Sequence, residues 1–315
     1  MISNRTKISN LAHDDAASRL AEVPDTAVLT EKPLAPHTSY KIGGPTAIWV
    51  APRTEEAVGQ VLEVIRTVDI QLFVLGRGSN VLVSDKGWQG VTLYLGENLS
   101  GWKIHDLEAD VLAGSRLLDI TRSTVANGLA GLELLAGIPG GIGGALRMNA
   151  GAFGREIESV TASVSGFRRN GSPFRAERAV LNFGYRRAPE LEDVIITAAR
   201  LRFERSDPAV LRKRMEDILS LRAKKQPLKF PSCGSVFKRP AGYYAGALIE
   251  EAGLKDHRIG GAMVSRKHAG FILNVADATA ADVYGLIRLI ENRVFDRFGV
   301  RLEREVKLIG EFDES

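Results

Sequence analysis

Residues 137–154 read GIPGGIGGALRMNAGAFG, with glycine at 137, 140, 141, 143, 144, 151 and 154. Backbone so bare is expensive in conformational entropy inside a folded domain unless something packs against it. The residues between the glycines, Ile138, Pro139, Ile142, Leu146 and Met148, are apolar and stiff, unlike the serine-rich filler of a flexible linker. The stretch therefore reads as a cradle in which backbone closely approaches a large, flat ligand. A second glycine loop, Gly76-Arg77-Gly78-Ser79-Asn80, interrupts two strand-like runs, Ile70–Leu75 and Val81–Val83. A dinucleotide fingerprint would place glycine at 81 and then a helix, and a Walker loop would end in Gly-Lys-Ser/Thr; neither is present. Open N–H groups beside the Ser79 and Asn80 side chains still form a nest suited to a pyrophosphate.

Working outward, 315 residues are enough for about two domains, and an apolar share of 44% supports a sizeable core. A net charge of +4 is a mild excess with no basic tract, which disfavours nucleic acid and suits a small anionic ligand. One cysteine, Cys233, allows neither an internal disulfide nor a multi-cysteine metal site, and the five histidines lack metal-ligand spacing. No apolar stretch reaches membrane-spanning length and the N-terminus has no signal-peptide core. The expectation is a cytoplasmic protein without metal, nucleic-acid partner or membrane insertion.

Residues 1–29 are polar and read as an arm. Thr54-Glu55-Glu56 starts an amphipathic helix through Val58, Val61, Leu62 and Ile65, and another helix near 116–127 closes at Asn127-Gly128. Asn170-Gly171 predicts a two-residue hairpin turn of the primed type. Asp207-Pro208 opens a helix with Leu211, Met215 and Ile218 on one face, and the domain boundary is placed there. Further on, a helix at 245–252 ends at Gly253 and a strand runs Phe271–Val275. A capping box, Thr279 with Asp282, starts a long helix ending at Gly299, and 300–309 reads as a closing strand. The expected architecture is α+β, with an arm at 1–29, a domain at 30–205 divided near 90, and a second domain at 206–311.

Several motifs in order resemble one family. Thr38-Ser39-Tyr40-Lys41-Ile42-Gly43-Gly44, Leu75-Gly76-Arg77-Gly78-Ser79-Asn80, Gly131-Leu132-Glu133 with Gly137-Ile138-Pro139-Gly140, and Gly143-Gly144-Ala145 are similar to UDP-N-acetylenolpyruvoylglucosamine reductases of type II. Tyr185-Arg186, Gly234-Ser235-Val236-Phe237-Lys238, Lys267-His268-Ala269-Gly270-Phe271 and Leu302-Glu303-Arg304-Glu305-Val306 continue the likeness. The departures are Ala188 where the family favours Ser, Arg239 where type I has Asn, and Asp256 where Gly is usual.

The resemblance implies an FAD-binding domain of the PCMH (vanillyl-alcohol-oxidase) type, made of two subdomains, followed by an α+β substrate domain. It implies NADPH-dependent reduction of an enolpyruvyl ether on a UDP-sugar, completing UDP-N-acetylmuramate for peptidoglycan synthesis. Neither glycine loop holds the His or Cys that carries covalent flavin, so FAD is expected to be noncovalent. Cofactor contacts are expected at Tyr40, Gly76, Gly78, Ser79, Asn80, Pro139, Gly143, Gly144, Asn149 and Gly151, and substrate contacts at Tyr185, Lys225, Lys238 and Arg239. Arg186 suits a developing carboxylate charge, because its guanidinium stays protonated and pairs in a fork. Ser235 is the implied proton donor, although its surroundings in sequence alone read as a turn. Alternation along 300–309 leaves Glu303 and Glu305 equivalent, and the resemblance selects Glu305. Two rival readings are an FAD-linked 2-hydroxyacid dehydrogenase, which needs a His or Tyr base, and a UDP-sugar binding module without chemistry.

Overall fold

The computed structural model describes residues 4–313. The chain forms two compact units, each discontinuous in sequence: one takes residues up to Lys32, Ala47–Arg77 and Gln89–Ser220, the other Pro33–Thr46, Gly78–Trp88 and the chain from Leu221 onward.

In the first unit, helix α1 (Asn4–Ala21) and a strand at Thr26–Pro33 occupy most of the stretch expected to be an arm, whose residues 1–3 lie outside the described residues. The polar surface of this helix masks a short seam: Ala16 and Leu20, one turn apart, are fully buried. They pack with helix α2 (Glu55–Val68), whose Thr54 hydroxyl accepts from the Ala57 N–H at 3.1 Å. Val58, Val61, Leu62 and Ile65 of α2 cover a four-stranded sheet ordered Thr26–Pro33, Pro45–Pro52, Trp88–Tyr94, Leu72–Leu75. Complete burial of each such aliphatic side chain contributes roughly 1.5–3 kcal/mol.

A second sheet in this unit has five strands, ordered Pro173–Glu177, Thr161–Arg168, Val194–Arg202, Glu108–Leu112, Trp102–His105, all pairs antiparallel. Helices α3 (Leu117–Ala126) and α4 (Ile142–Arg147) supply Leu117, Ile120, Ile142 and Leu146 to its core. The hairpin at Asn170-Gly171 has a three-residue loop in place of the expected primed turn. Arg168 N–H donates to the Ser172 carbonyl at 2.8 Å and Gly171 N–H to the Arg168 carbonyl at 2.9 Å, and Gly171 alone takes positive φ, +86°. This is a type I turn closed by a left-handed glycine. Helix α5 (Pro208–Lys225) begins at the expected cap, with the Ala209 N–H donating to Asp207 Oδ1 at 2.7 Å. Its Leu211 and Met215 pack with Val125 and Ala136, so the first unit runs on to Ser220, past the boundary expected at 206.

The second unit is built on helices α6 (Ala245–Glu251) and α7 (Ala280–Phe298) against a three-stranded antiparallel sheet, Arg258–Ile259, Ala262–Val264, Ile272–Asn274. Helix α7 carries the expected capping box and left-handed Gly299, and buries Val283, Leu286, Ile287, Ile290 and Val294. The expected strand 300–309 is one only at Lys307–Ile309, which pairs in parallel with Val81–Val83; upstream, a single bridge joins Arg304 to Phe237. Residues 303–306 pair only through isolated bonds, to 236–238 on one side and to Asn80 on the other, without a continuous ladder.

Candidate active site

In the first unit the long glycine segment is partly helical. Helix α4 ends in a Schellman motif: the Asn149 N–H donates to the Leu146 carbonyl at 3.1 Å and the Ala150 N–H to the Ala145 carbonyl at 2.8 Å. Asn149 therefore takes the left-handed position, φ +40°, which Asn tolerates better than most residues. The glycines divide by what a side chain would meet. A Cβ on Gly144 or Gly76 would have nothing within 4 Å, whereas on Gly143 it would lie 2.9 Å from Ala113 Cβ. Gly144 and Gly76 thus present bare backbone outward, as a ligand cradle requires, with Pro139 exposed on the same segment. Gly143 and Gly151 are small because the protein itself fills the space beside them.

Arg186 sits at the corner of a tight turn in which Gly184 and Arg187 exchange backbone hydrogen bonds of 3.0 and 3.1 Å. Its φ of +54° lies in the left-handed region, roughly 1–2 kcal/mol unfavourable for a side chain of this kind. The guanidinium donates from Nη2 to the Gly151 carbonyl at 2.8 Å, lies 3.8 Å from Glu156 Oε1, and stacks 5.0 Å from the Tyr185 ring. Burial pushes the Glu156 carboxyl above its usual range, Glu158 adds to this, and Arg186 and Asn149 oppose it.

In the second unit Ser235 and Glu305 are brought together by backbone. The Val236 N–H donates to the Gly270 carbonyl at 2.9 Å, while the Val236 carbonyl accepts from Glu305 N–H at 2.8 Å, and Lys238 N–H reaches the Glu303 carbonyl at 2.8 Å. Ser235 is exposed at the start of this ladder and bridges to Phe271. Lys238 pairs its ammonium with Glu303 Oε1, so Glu303 and Glu305, equivalent by alternation, differ in surroundings. Arg304 is gripped by Glu291 through two bonds of 2.5 and 2.6 Å. The Arg239 guanidinium lies 4.0 Å from the exposed Tyr244 ring, and Lys225 is exposed at the end of α5.

Three expected cofactor residues in this unit, and one in the other, serve the scaffold. Tyr40 is fully buried, its hydroxyl without a partner among the described residues, and burial, then Cys233, raises its pKa well above the usual phenol range. Gly78 has φ +62°, and a Cβ there would strike the His37 carbonyl oxygen at 2.0 Å. Asn80 spends its amide N–H on the Glu305 carbonyl at 3.0 Å, and its own carbonyl accepts from Lys307 N–H at 3.0 Å. Ser79, half-buried, keeps its place in the loop. In the first unit Asn149 is fully buried, with all its side-chain polar atoms bonded within the protein. Both the Tyr40 and the Asn149 side chains are fully buried. Sequence reading also missed Glu156, Glu291 and Arg304, whose partners lie at separations that no short motif spans. Cys233 donates to the Val81 carbonyl at 3.1 Å, and burial pushes its thiol up to about 12, which leaves it inert beside the Ser235 loop.

Residues 46–173 match the family described as FAD binding domain, and residues 226–309 match the family described as UDP-N-acetylenolpyruvoylglucosamine reductase, C-terminal domain. The match to the FAD binding domain, with the relatives that follow, defines the class: an FAD-dependent oxidoreductase. The chain is 40% identical over 291 residues to the UDP-N-acetylenolpyruvoylglucosamine reductase of Syntrophomonas wolfei, covering 92% of this chain and 97% of that protein. It is 41% identical over 293 residues to the enzyme of that name from Lactococcus lactis subsp. cremoris, covering 93% and 98%. The crystal structure of UDP-N-acetylenolpyruvylglucosamine reductase (MurB) from Thermus caldophilus matches with a TM-score of 0.74 at 32% identity, over 90% of this chain and 99% of that one. The chain belongs to the UDP-N-acetylenolpyruvoylglucosamine reductase family, which sets aside the hydroxyacid dehydrogenase alternative.

Proposed function

We propose that the chain catalyses NADPH-dependent reduction of UDP-N-acetyl-enolpyruvylglucosamine to UDP-N-acetylmuramate with noncovalent FAD, in the cytoplasm, as a step of peptidoglycan precursor synthesis. The observation that supports this reading is the run of main-chain bonds joining 236–238, next to Ser235, to 303–306, which include Glu305, within the stretch matching the family's C-terminal domain.

The open backbone at Gly76 and Gly144 fits a flat flavin, and these residues with Ser79, Pro139, Gly143 and Gly151 would hold it. When bound, FAD supplies hydride-transfer chemistry between NADPH and C3 of the enolpyruvyl group. The protein's own task is to manage the charge and the proton. Arg186 holds the substrate carboxylate as negative charge builds on it, an interaction that strengthens towards the transition state. Ser235 delivers its hydroxyl proton to C2, and Glu305 polarises the acid. Lys225 anchors the diphosphate, and Tyr185, Lys238 and Arg239 contact the UDP-sugar.

Ser235→Ala tests the assignment because only one half-reaction needs its proton. NADPH oxidation by the flavin-loaded variant should stay within about twofold of the parent, whereas turnover of the enolpyruvyl substrate should slow by a factor of about 10²–10⁴. Stopped-flow absorbance follows both. Equal loss of both half-reactions would make Ser235 a cofactor or folding residue, and loss of neither would assign the proton to another group.

A further inference from the structure

Between the glycine segment and the Arg186 turn lies a cluster of side chains that the chemistry above does not use. Asn149 Nδ2 donates to Glu156 Oε2 at 2.9 Å and to the Gly184 carbonyl at 3.2 Å, and Asn149 Oδ1 accepts from the Glu158 N–H at 3.2 Å. One buried amide thus ties the end of α4 to Glu156 and to the first residue of the turn that carries Arg186. The other Glu156 oxygen faces Arg186 Nη1 at 3.8 Å, and the carbonyl that accepts from Arg186 Nη2 belongs to Gly151, which pairs with Glu156 across a short hairpin.

Hence one hairpin holds the guanidinium at two nitrogens, and one amide fixes that hairpin to the turn. We propose that Glu156, oriented by Asn149, is a positioning residue for Arg186, setting the direction from which its guanidinium meets the substrate carboxylate. The inference rests on the reading of Arg186 as the carboxylate holder. Three observations favour orientation over plain stability. Arg186 occupies a strained left-handed position that a purely structural turn would give to Gly or Asn. The ion pair is long and partly exposed, 18% for Arg186 and 30% for Glu156, a geometry that contributes little to folding. Burial works against keeping Glu156 ionised, and the fold nonetheless sets its carboxylate 3.8 Å from Arg186. Misplacement of a binding group by about 1 Å can lower a rate by as much as 10²-fold.

A double-mutant cycle with Glu156→Gln and Arg186→Ala decides the matter, because Gln keeps an acceptor for Asn149 while removing the charge. With Arg186 present, E156Q should lower kcat/KM for the UDP-sugar by about tenfold and weaken calorimetric binding of UDP-N-acetylmuramate several-fold. The KM for NADPH, the flavin retained and the urea midpoint should stay unchanged. In the R186A background E156Q should have no further effect, and Glu156→Asp, which keeps the charge on a shorter arm, should restore part of the loss. The same factor lost in both backgrounds would overturn the proposal and leave Glu156 a scaffold residue. If R186A alone left turnover intact, the reading of Arg186 itself would fall, an outcome seen before Glu156 is touched. Should E156Q not fold, E156D in the same cycle is judged by the same coupling.

Discussion

The Arg186 turn and the Ser235–Glu305 ladder place chemistry-bearing residues by opposite means. Arg186 is held by the Gly151 carbonyl and the Glu156 carboxylate, with the Asn149 side-chain amide tying Glu156 to the turn, against a backbone conformation it does not favour. Ser235 and Glu305 are held by main-chain bonds between 236–238 and 303–306, and the side chains flanking them lock outward onto other partners. Side-chain scaffolding fails when one residue changes, whereas backbone scaffolding tolerates substitution so long as the ladder forms. The first unit should therefore be fragile at single interior positions and the second robust at most of its own.

The largest break in that contrast is expected from Asn149→Ala. It leaves the Glu158 N–H without its acceptor, takes from the Gly184 carbonyl one of its two donors, and puts Ala in a left-handed position, for a loss of about 2–4 kcal/mol read as a lowered urea midpoint. Asn149→Gly should recover only the conformational part. A smaller effect is expected from Arg304→Met in the second unit. It removes two charged hydrogen bonds to Glu291 and should lower stability by about 1–2 kcal/mol, yet kcat should stay within twofold because the bonds of Glu303 and Glu305 to Lys238 and Val236 are backbone. A tenfold fall in kcat would mean that the second site also depends on its side chains.

The smallest effect is expected at His268, whose Nδ1 accepts from the Gly270 N–H at 3.2 Å beside the Ser235 ladder and whose ring lies 4.9 Å from Phe271. Burial, with Lys255 adding to it, holds this imidazole below its usual value, while its own backbone and Glu250 oppose the shift. The folded state then binds the proton less tightly than the unfolded chain, so stability rises with pH across this window. The contribution is complete above about pH 6.5 and is lost as pH falls through the lower folded value. The difference in Tm between pH 7 and pH 5 should shrink in His268→Gln; an unchanged difference would exclude the imidazole as its source.

Local signals in the sequence carried over where the responsible interaction is local. The Thr54 cap, the Thr279–Asp282 box and the Asp207-Pro208 start are set within four residues, and each helix begins where its cap predicts. Helix α1 was hidden because, in the part whose side chains are described, its buried residues are only Ala16 and Leu20 among polar neighbours. The run 300–309 misled because alternation records which side chains face inward, while a strand also requires a partner for each backbone group. The two glycine-rich segments were legible as wholes, but not the division between outward Gly76 and Gly144 and packed Gly78 and Gly143, since that depends on Ala113 and His37. The support of Arg186 was illegible for the same reason: Asn149 and Gly184 are 35 residues apart.

The bond from Asn80 to the Glu305 carbonyl spans 225 residues, and Val81–Val83 waits for Lys307–Ile309 as its parallel neighbour. On a ribosome adding about 5–20 residues per second, that interval is roughly 10–45 s. For most of it the nascent Val81-Leu82-Val83 segment is outside the ribosome without its mate, an apolar edge open to other chains. The second unit can close only after residues through Ile309 have been made, and until then the emerging loop at 78–88 is where a chaperone would have most to protect.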